Sequence, residues 1–241
     1  MRERRYPKSL RRWTGVVIAA LALPALPAAN AAPPADTGGC ADVRVISARG
    51  TFEPQFGSLL LTPLATRIAR ESGRAATATE LQYPASRDAD SATRGAENLV
   101  TLLNAAAAAC PDQRYVLLGY SQGARVIETV ARGLRPTLSE RAADRIGAIA
   151  LFGNPFFNRD EPYNRGTFDP ALPDMQPHPL GALAEFADRL WDYCNAGDRV
   201  CNGGDPAAGF GNALSVGHLT YFLNDSRDQA AAFVQDRLRA S

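Results

Sequence analysis

The sequence predicts an α/β fold in which a parallel β-sheet is covered on both faces by helices. Short apolar runs alternate with helical patterns along the chain, and that alternation is the mark of strands joined by crossover helices. One run, Ile146 to Phe152, is almost wholly apolar, as a strand buried on both faces should be. A third observation adds a site. The run Tyr115-Val116-Leu117-Leu118 ends in Gly119-Tyr120-Ser121-Gln122-Gly123 and passes at once into a helical pattern. Strand, tight turn with serine at its apex, then helix is the context that makes Gly-x-Ser-x-Gly a nucleophile elbow. A Cβ at either flanking glycine would crowd the neighbouring strand or helix. The helix N-terminus behind Ser121 supplies unpaired N–H groups where an oxyanion would form.

Each element follows in order. Val43 to Ala48 is the first strand, and Arg49-Gly50-Thr51-Phe52-Glu53-Pro54 after it has turn chemistry. Leu61, Leu64, Ala65 and Ile68 share one face of a helix that stops before Gly73. Thr77 to Tyr83 reads as the second strand, halted by Pro84. Asp88, Asp90 and Ser91 are candidate caps of a helix striped by Leu99, Leu102, Leu103 and Ala106. After the elbow strand, Ile127, Val130, Ala131 and Leu134 recur at helical spacing, with Gly133 and Pro136 to close the helix. Ser139 to Arg145 is a short helix, and Ile146 to Phe152 a strand. Residues 156–182 are rich in Pro, Asn, Asp and aromatics without a period, and a stretch of that length in a compact domain is usually functional or mobile. Leu183 to Asp188 carries a helical turn, Leu190 to Tyr193 is the last strand, and Asn202 to Gly217 is Gly-rich. Asp228 to Arg239 closes the chain as a helix with Ala230, Phe233, Val234 and Leu238 inward.

The first thirty-odd of the 241 residues read as a targeting segment. Arg2, Arg4, Arg5, Lys8, Arg11 and Arg12 form a basic start, Val17 to Leu26 a short apolar run, and Ala29-Asn30-Ala31 a cleavage signature. Residues 1–31 are thus expected to be a signal peptide, 32–39 a linker and 40–241 one domain. Adjacent Arg11-Arg12 allows twin-arginine as well as general export. Without the leader the net charge falls from +1 to about −4. Outside the leader there is no basic tract, which argues against nucleic acid as a partner. No later apolar run is long enough to span a membrane.

Export places the four cysteines in an oxidising environment, where an even number implies disulfides. Three pairings are possible. Cys194 and Cys201 bracket a small loop, which leaves Cys40 with Cys110. A zinc site is disfavoured by the C-x6-C spacing.

A serine nucleophile needs a base, and the base an orienting acid. The two histidines are His178 and His218. The order serine, acid, histidine holds in α/β-hydrolases, and an acid on a loop after a late strand fits only His218: Asp198 precedes it and follows the last strand. His178, in Pro177-His178-Pro179, reads as a solvated or merely packed side chain. Asp192 lies within a strand and Asp205 in a turn, so both are weaker candidates for the acid. The oxyanion donors are expected to be the N–H of Gln122 and, from the loop after the first strand, Thr51.

These residues resemble the cutinase family, in particular the secreted cutinase-like esterases of actinobacteria. The matching features are Ala48-Arg49-Gly50-Thr51, Gly119-Tyr120-Ser121-Gln122-Gly123, Cys194-Asn195-Ala196-Gly197-Asp198-Arg199-Val200-Cys201 and Gly217-His218. Cys40 and Cys110 fit as well. The resemblance covers about residues 40–241. It implies a small, lidless α/β-hydrolase, a three-layer α/β/α sandwich with a mainly parallel five-stranded sheet. It implies Ser121 as nucleophile, His218 as base, Asp198 as orienter, and Thr51 and Gln122 as the oxyanion hole. It further implies disulfides Cys40–Cys110 and Cys194–Cys201, and ester hydrolysis through an acyl-enzyme without metal or organic cofactor. The expected partner is an ester substrate (lipid, polyester or acylated polymer), met by a secreted monomer. Thr51 stands where many fungal cutinases have Ser, and its methyl narrows the site. Phe156 to Asp188 is longer than the usual connection there and is expected to shape the acyl or alcohol pocket. Phe156, Phe157, Phe210 and Leu214 are candidates for an apolar contact surface or for plain core. Rival readings are a carbohydrate acetyl esterase, a lipase or phospholipase, and a non-catalytic secreted binding protein that keeps the fold.

Overall fold

The computed structural model describes residues 39–134, 137–205 and 215–240. The expected signal peptide, most of the linker, Pro136, Phe210 and Leu214 lie outside the described residues. The strands are β1 (Val43–Ala48), β2 (Ala76–Glu80), β3 (Arg114–Tyr120), β4 (Ile146–Phe152), β5 (Asn164–Gly166) and β6 (Leu190–Cys194). The helices are α1 (Leu61–Glu71), α2 (Ser91–Ala109), α3 (Gln122–Ala131), α4 (Glu140–Asp144), α5 (Val216–Leu219) and α6 (Ser226–Arg239).

The strands form one sheet in the order β2-β1-β3-β4-β6-β5, and every neighbouring pair is parallel. Side chains alternate between its faces. Val43, Val45, Val116, Leu118, Ala148, Ala150, Trp191 and Tyr193 pack with α1 and α6 on one face. Ile46, Ala48, Tyr115, Leu117, Ile149 and Leu151 pack with α2, α3 and α4 on the other. The expected three-layer α/β/α sandwich is therefore present. The apolar stripe of α1 lands as its spacing demands, with Leu61, Leu64, Ala65 and Ile68 all buried. Each large aliphatic side chain so buried contributes roughly 1.5–3 kcal/mol.

Among the described residues the sheet has six strands, not the expected five. The sixth, β5, is a three-residue edge strand beside β6. Asn-Arg-Gly is too short and polar to show a strand period, and the pairing is imposed by the open edge of β6. Two expected boundaries also move. The second strand stops at Glu80 because the chain turns out of the sheet near Leu81 and Tyr83, whose carbonyls bond the buried Arg49 guanidinium. Helix α3 stops at Ala131, and Gly133, at φ +63°, turns the chain away. Leu134 therefore falls beyond the helix and is 50% exposed.

The order of the strands places the site. The chain leaves β1 toward β2 on one side and β3 toward β4 on the other. The loops at the carboxyl ends of β1 and β3 therefore diverge, which opens a crevice at this switch point.

Candidate active site

Ser121 stands at the carboxyl end of β3, immediately before α3, at φ +54° and ψ −118°. A non-glycine residue there is strained, and such strain persists only where the surroundings over-determine it. Here they do. The Ser121 N–H donates to the Phe152 carbonyl at 2.9 Å. A Cβ at Gly123 would lie 1.8 Å from the Ala48 carbonyl oxygen, and one at Gly119 2.7 Å from Ala124 Cα. The expectation that the elbow demands glycines on both flanks is met by close approach of backbone to backbone.

Three sequence-predicted residues meet in a line. Ser121 Oγ is 2.9 Å from His218 Nε2. His218 Nδ1 is 2.9 Å from Asp198 Oδ2 and 3.0 Å from Oδ1. His218, in α5, and Asp198, after β6, are buried, whereas Ser121 is half-buried at the crevice. Asp198 Oδ1 also accepts the Val200 N–H at 2.8 Å, and Oδ2 accepts the Tyr221 hydroxyl. Gly153, at φ +56°, leaves room for the pair. A Cβ there would come within 2.8 Å of Asp198 Oδ2 and 2.9 Å of His218 Nδ1.

The oxyanion candidates adjoin Ser121. Gln122 opens α3, and its side chain is tied down: Nε2 donates to the Ser86 carbonyl at 2.8 Å and to Thr51 Oγ1 at 3.3 Å, while Oε1 accepts the Ser91 hydroxyl at 2.9 Å. Thr51 is held by the loop that carries it. Arg49 Nε donates to the Glu53 carbonyl at 2.7 Å, its guanidinium bonds the carbonyls of Tyr83 and Pro84, and the Tyr83 hydroxyl donates to the Arg49 carbonyl. Ser91, expected as a helix cap, instead links the start of α2 to Gln122.

A cavity of about 510 Å³ opens beside Ser121. Its apolar lining includes Leu59, Leu60, Ala92, Val200, Leu219 and Phe222. Phe52, Leu59 and Leu219 are also exposed at its rim. Of the two readings offered for the aromatic residues after β4, contact surface or plain core, Phe157 takes the second. Phe157 is fully buried against Cys194, Cys201 and Phe168, and Phe156 lies beside Arg125 and Arg132. Among the described residues, none of Phe156 to Asp188, the stretch expected to shape the pocket, lines it; Pro155, just before that stretch, does.

Both expected disulfides, Cys40–Cys110 and Cys194–Cys201, are formed. His178 is as buried as His218 but sits apart from Ser121, among Glu128, Glu161 and Tyr163. Asp192 is buried too, joined to Asn154 rather than to either histidine by a hydrogen bond. Asp205 is exposed.

Sequence reasoning missed Tyr120, Tyr221, Gly153 and Arg49. Tyr120 stacks on His218, with centroids 5.1 Å apart and planes 25° apart, and its hydroxyl donates to the His218 carbonyl at 2.7 Å. Burial, with the Glu53 and Asp198 carboxylates, holds its phenol above the ordinary value, so it stays a donor. The available signal was position: Tyr120 lies inside the elbow motif, and Tyr221 three residues after His218.

Comparison with known proteins gives the family. The family model for cutinase matches residues 39–238. Carboxylesterase Culp1 of Mycobacterium tuberculosis is 32% identical over 238 residues, 96% of this chain and 97% of that protein. The catalytic core domain of acetyl xylan esterase from Trichoderma reesei superposes with a TM-score of 0.68 at 26% identity, over 83% of this chain and all of that one. Trichoderma reesei cutinase, solved with a phosphonate inhibitor, gives 0.60 at 28% identity over 83% and 77%. The chain belongs to the cutinase family of carboxylic ester hydrolases.

Proposed function

We propose that the protein is a secreted serine esterase that hydrolyses esters of apolar acyl chains through an acyl-enzyme on Ser121. The observation that carries this reading is the unbroken line from Ser121 Oγ through His218 to Asp198, with both contacts at 2.9 Å, at the mouth of an apolar cavity. Ser121 Oγ attacks the ester carbonyl as its proton passes to His218 Nε2. Asp198 keeps Nδ1 protonated and stabilises the imidazolium. The carbonyl oxygen becomes an oxyanion at the N–H of Gln122 and at Thr51, where fixed donors favour it most. On collapse, His218 returns the proton to the departing alcohol. Water then repeats the sequence, with His218 as base, to release the acid and free Ser121.

The cavity falls within the roughly 300–1,000 Å³ usual for a small-molecule site, ample for more than an acetyl group. Export is supported by the basic-then-apolar start with its cleavage signature and by two disulfides. No helix among the described residues is long and apolar enough to cross a membrane.

The test is hydrolysis of p-nitrophenyl esters from acetyl to palmitoyl by the parent and by Ser121→Ala. The expected profile peaks beyond acetyl and falls by about 10⁴-fold or more in the variant. Acetyl-only activity would favour a carbohydrate deacetylase, and a parent inert on every ester, with no fluorophosphonate uptake at Ser121, would favour a binding protein.

A further inference from the structure

Asp198 receives a donor that none of the steps above uses. Tyr221, just beyond α5, is 1% exposed, its ring edge-on to Tyr120, Phe152, Tyr193 and His218. Its hydroxyl donates to Asp198 Oδ2, the oxygen nearest His218 Nδ1. The same hydroxyl accepts the Asn195 backbone N–H at 3.2 Å, which aims its proton at the carboxylate. The backbone on both sides is fastened: Asn195 Nδ2 donates to the Gly217 carbonyl at 2.9 Å, and Ser226 Oγ to the Tyr221 carbonyl at 2.9 Å. Packing alone asks for an aromatic ring here. It does not ask for a hydroxyl wedged between a backbone donor and the acid.

A phenol bonded to a carboxylate in a dry site makes a short, charge-assisted hydrogen bond. Such a bond fixes the plane of the carboxylate and withdraws part of its negative charge. Less charge facing His218 means that the imidazolium releases its proton more readily. Burial and the Asp198 carboxylate hold the Tyr221 phenol well above its ordinary value, so the donor does not ionise in the working range. The other titratable groups around the pair are Tyr120 from β3, Tyr193 from β6 and the more distant Glu53 of the loop after β1.

We propose that Tyr221 is a positioning residue of the esterase reaction, whose hydroxyl sets both the plane and the effective charge of Asp198 and thereby the basicity of His218. This rests on the assignment of Ser121, His218 and Asp198 as nucleophile, base and orienter.

The test is the pH profile of kcat/KM on a soluble p-nitrophenyl ester. Tyr221→Phe removes only the hydroxyl. Its kcat is expected to fall about 10-fold with KM nearly unchanged, the loss of one hydrogen bond to a charged group. The acid limb is expected to move up by about half a pH unit, because Asp198 then presents more charge to the imidazolium. Site-specific 3-fluorotyrosine at Tyr221 keeps the ring and makes the phenol a stronger donor, so its limb is expected to move the other way. Should Tyr221→Phe fail to fold, the fluorinated protein decides alone. Limbs that coincide with the parent's overturn the inference, and so does a rate loss without displacement of the limb, which packing would produce. A parent that neither hydrolyses esters nor takes up fluorophosphonate at Ser121 removes the underlying reading instead.

Discussion

The protein has two histidines, each 2% exposed and each set against carboxylates. Around His218 the carboxylate is Asp198, and the far ring nitrogen faces Ser121 beside an open cavity. Around His178, Nδ1 lies 2.9 Å from Glu128 Oε1, in ion-pair range though not aligned for a hydrogen bond. Its far nitrogen faces the Tyr163 hydroxyl at 3.0 Å and Glu161 Oε1 at 3.3 Å. Asn154 completes that second cluster by donating to Glu128 Oε2 at 2.6 Å and to Asp192 Oδ2 at 2.8 Å. A histidine against a carboxylate is thus common to both regions. A serine hydroxyl at the other nitrogen, beside an open cavity, belongs to one. The second cluster joins α3, Asn154 just past β4, β6 and the long stretch after β4, and so ties that stretch to the helix behind Ser121.

Exchanging each histidine for alanine should separate the two roles most sharply. His218→Ala is expected to lose about 10⁴- to 10⁶-fold in kcat/KM, with a smaller loss of stability than at His178 because Asp198 keeps the Val200 N–H and the Tyr221 hydroxyl. His178→Ala is expected to keep activity within about threefold. It should lose about 3 kcal/mol of stability, the order seen when a buried ion pair loses one member. For a domain of this size that lowers Tm by about 10 °C. Steady-state kinetics at a temperature where both are folded, with thermal melts, reads the pair. Equal activity losses would collapse the distinction.

The same contrast explains what could be read ahead of the structure. The site around His218 was legible because its parts carry local signatures: glycines around Ser121, cysteines around Asp198, and a histidine after the last strand. The fold was legible because β4 is apolar throughout and the stripe of α1 keeps its period. The cluster around His178 was not legible. Its members stand at 128, 154, 161, 178 and 192, and no spacing connects them until the sheet brings β4 and β6 side by side. Pro177-His178-Pro179, read alone, leaves His178 either solvated or merely packed. Edge strand β5 was hidden for a related reason, since its pairing is dictated by β6 rather than by Asn164-Arg165-Gly166. Tyr221 reads as a core aromatic, and only the position of its hydroxyl against Asp198 distinguishes it.

The two disulfides extend the comparison, because one adjoins the His218 site and the other does not. Cys194–Cys201 closes the loop that carries Asp198, and the Asp198 carbonyl accepts the Asn202 N–H at 2.9 Å just past it. Cys40–Cys110 ties the chain before β1 to the end of α2. In the chain-entropy model the short loop contributes roughly 2.5 kcal/mol and the long one roughly 4.4. Stability and activity should therefore rank oppositely. Cys40→Ser with Cys110→Ser is expected to lower Tm more and leave kcat near the parent's. Cys194→Ser with Cys201→Ser should lower Tm less and cut kcat about 10-fold, because Asp198 loses its fixed backbone. Matching losses of kcat in the two double variants would show that the short bridge does not serve the acid.

The smallest expected effect is a pH dependence of stability that arises in the second cluster. Burial drives the Asp192 carboxyl up to about 7, with Glu128 adding to the rise, against the opposing hydrogen bond from Asn154 and the charge of His178. Its unfolded value is near 3.9, so between about pH 4 and 7 the folded protein binds more protons than the unfolded chain, and stability falls as pH rises. Burial alone would depress His178, but contact with Glu128 and the charges of Asp192 and Glu161 outweigh it, so its folded value is raised. That stabilisation is complete below about pH 6.5 and is lost as pH climbs through the raised value. Both groups act in the same direction. The parent's Tm is therefore expected to drop between pH 5.5 and 8. Asp192→Asn keeps the side-chain shape and cannot ionise, so its drop should be the shallower. Parallel slopes for the two proteins would mean that Asp192 does not change its protonation on folding, and the cluster would then hold the stretch by geometry alone.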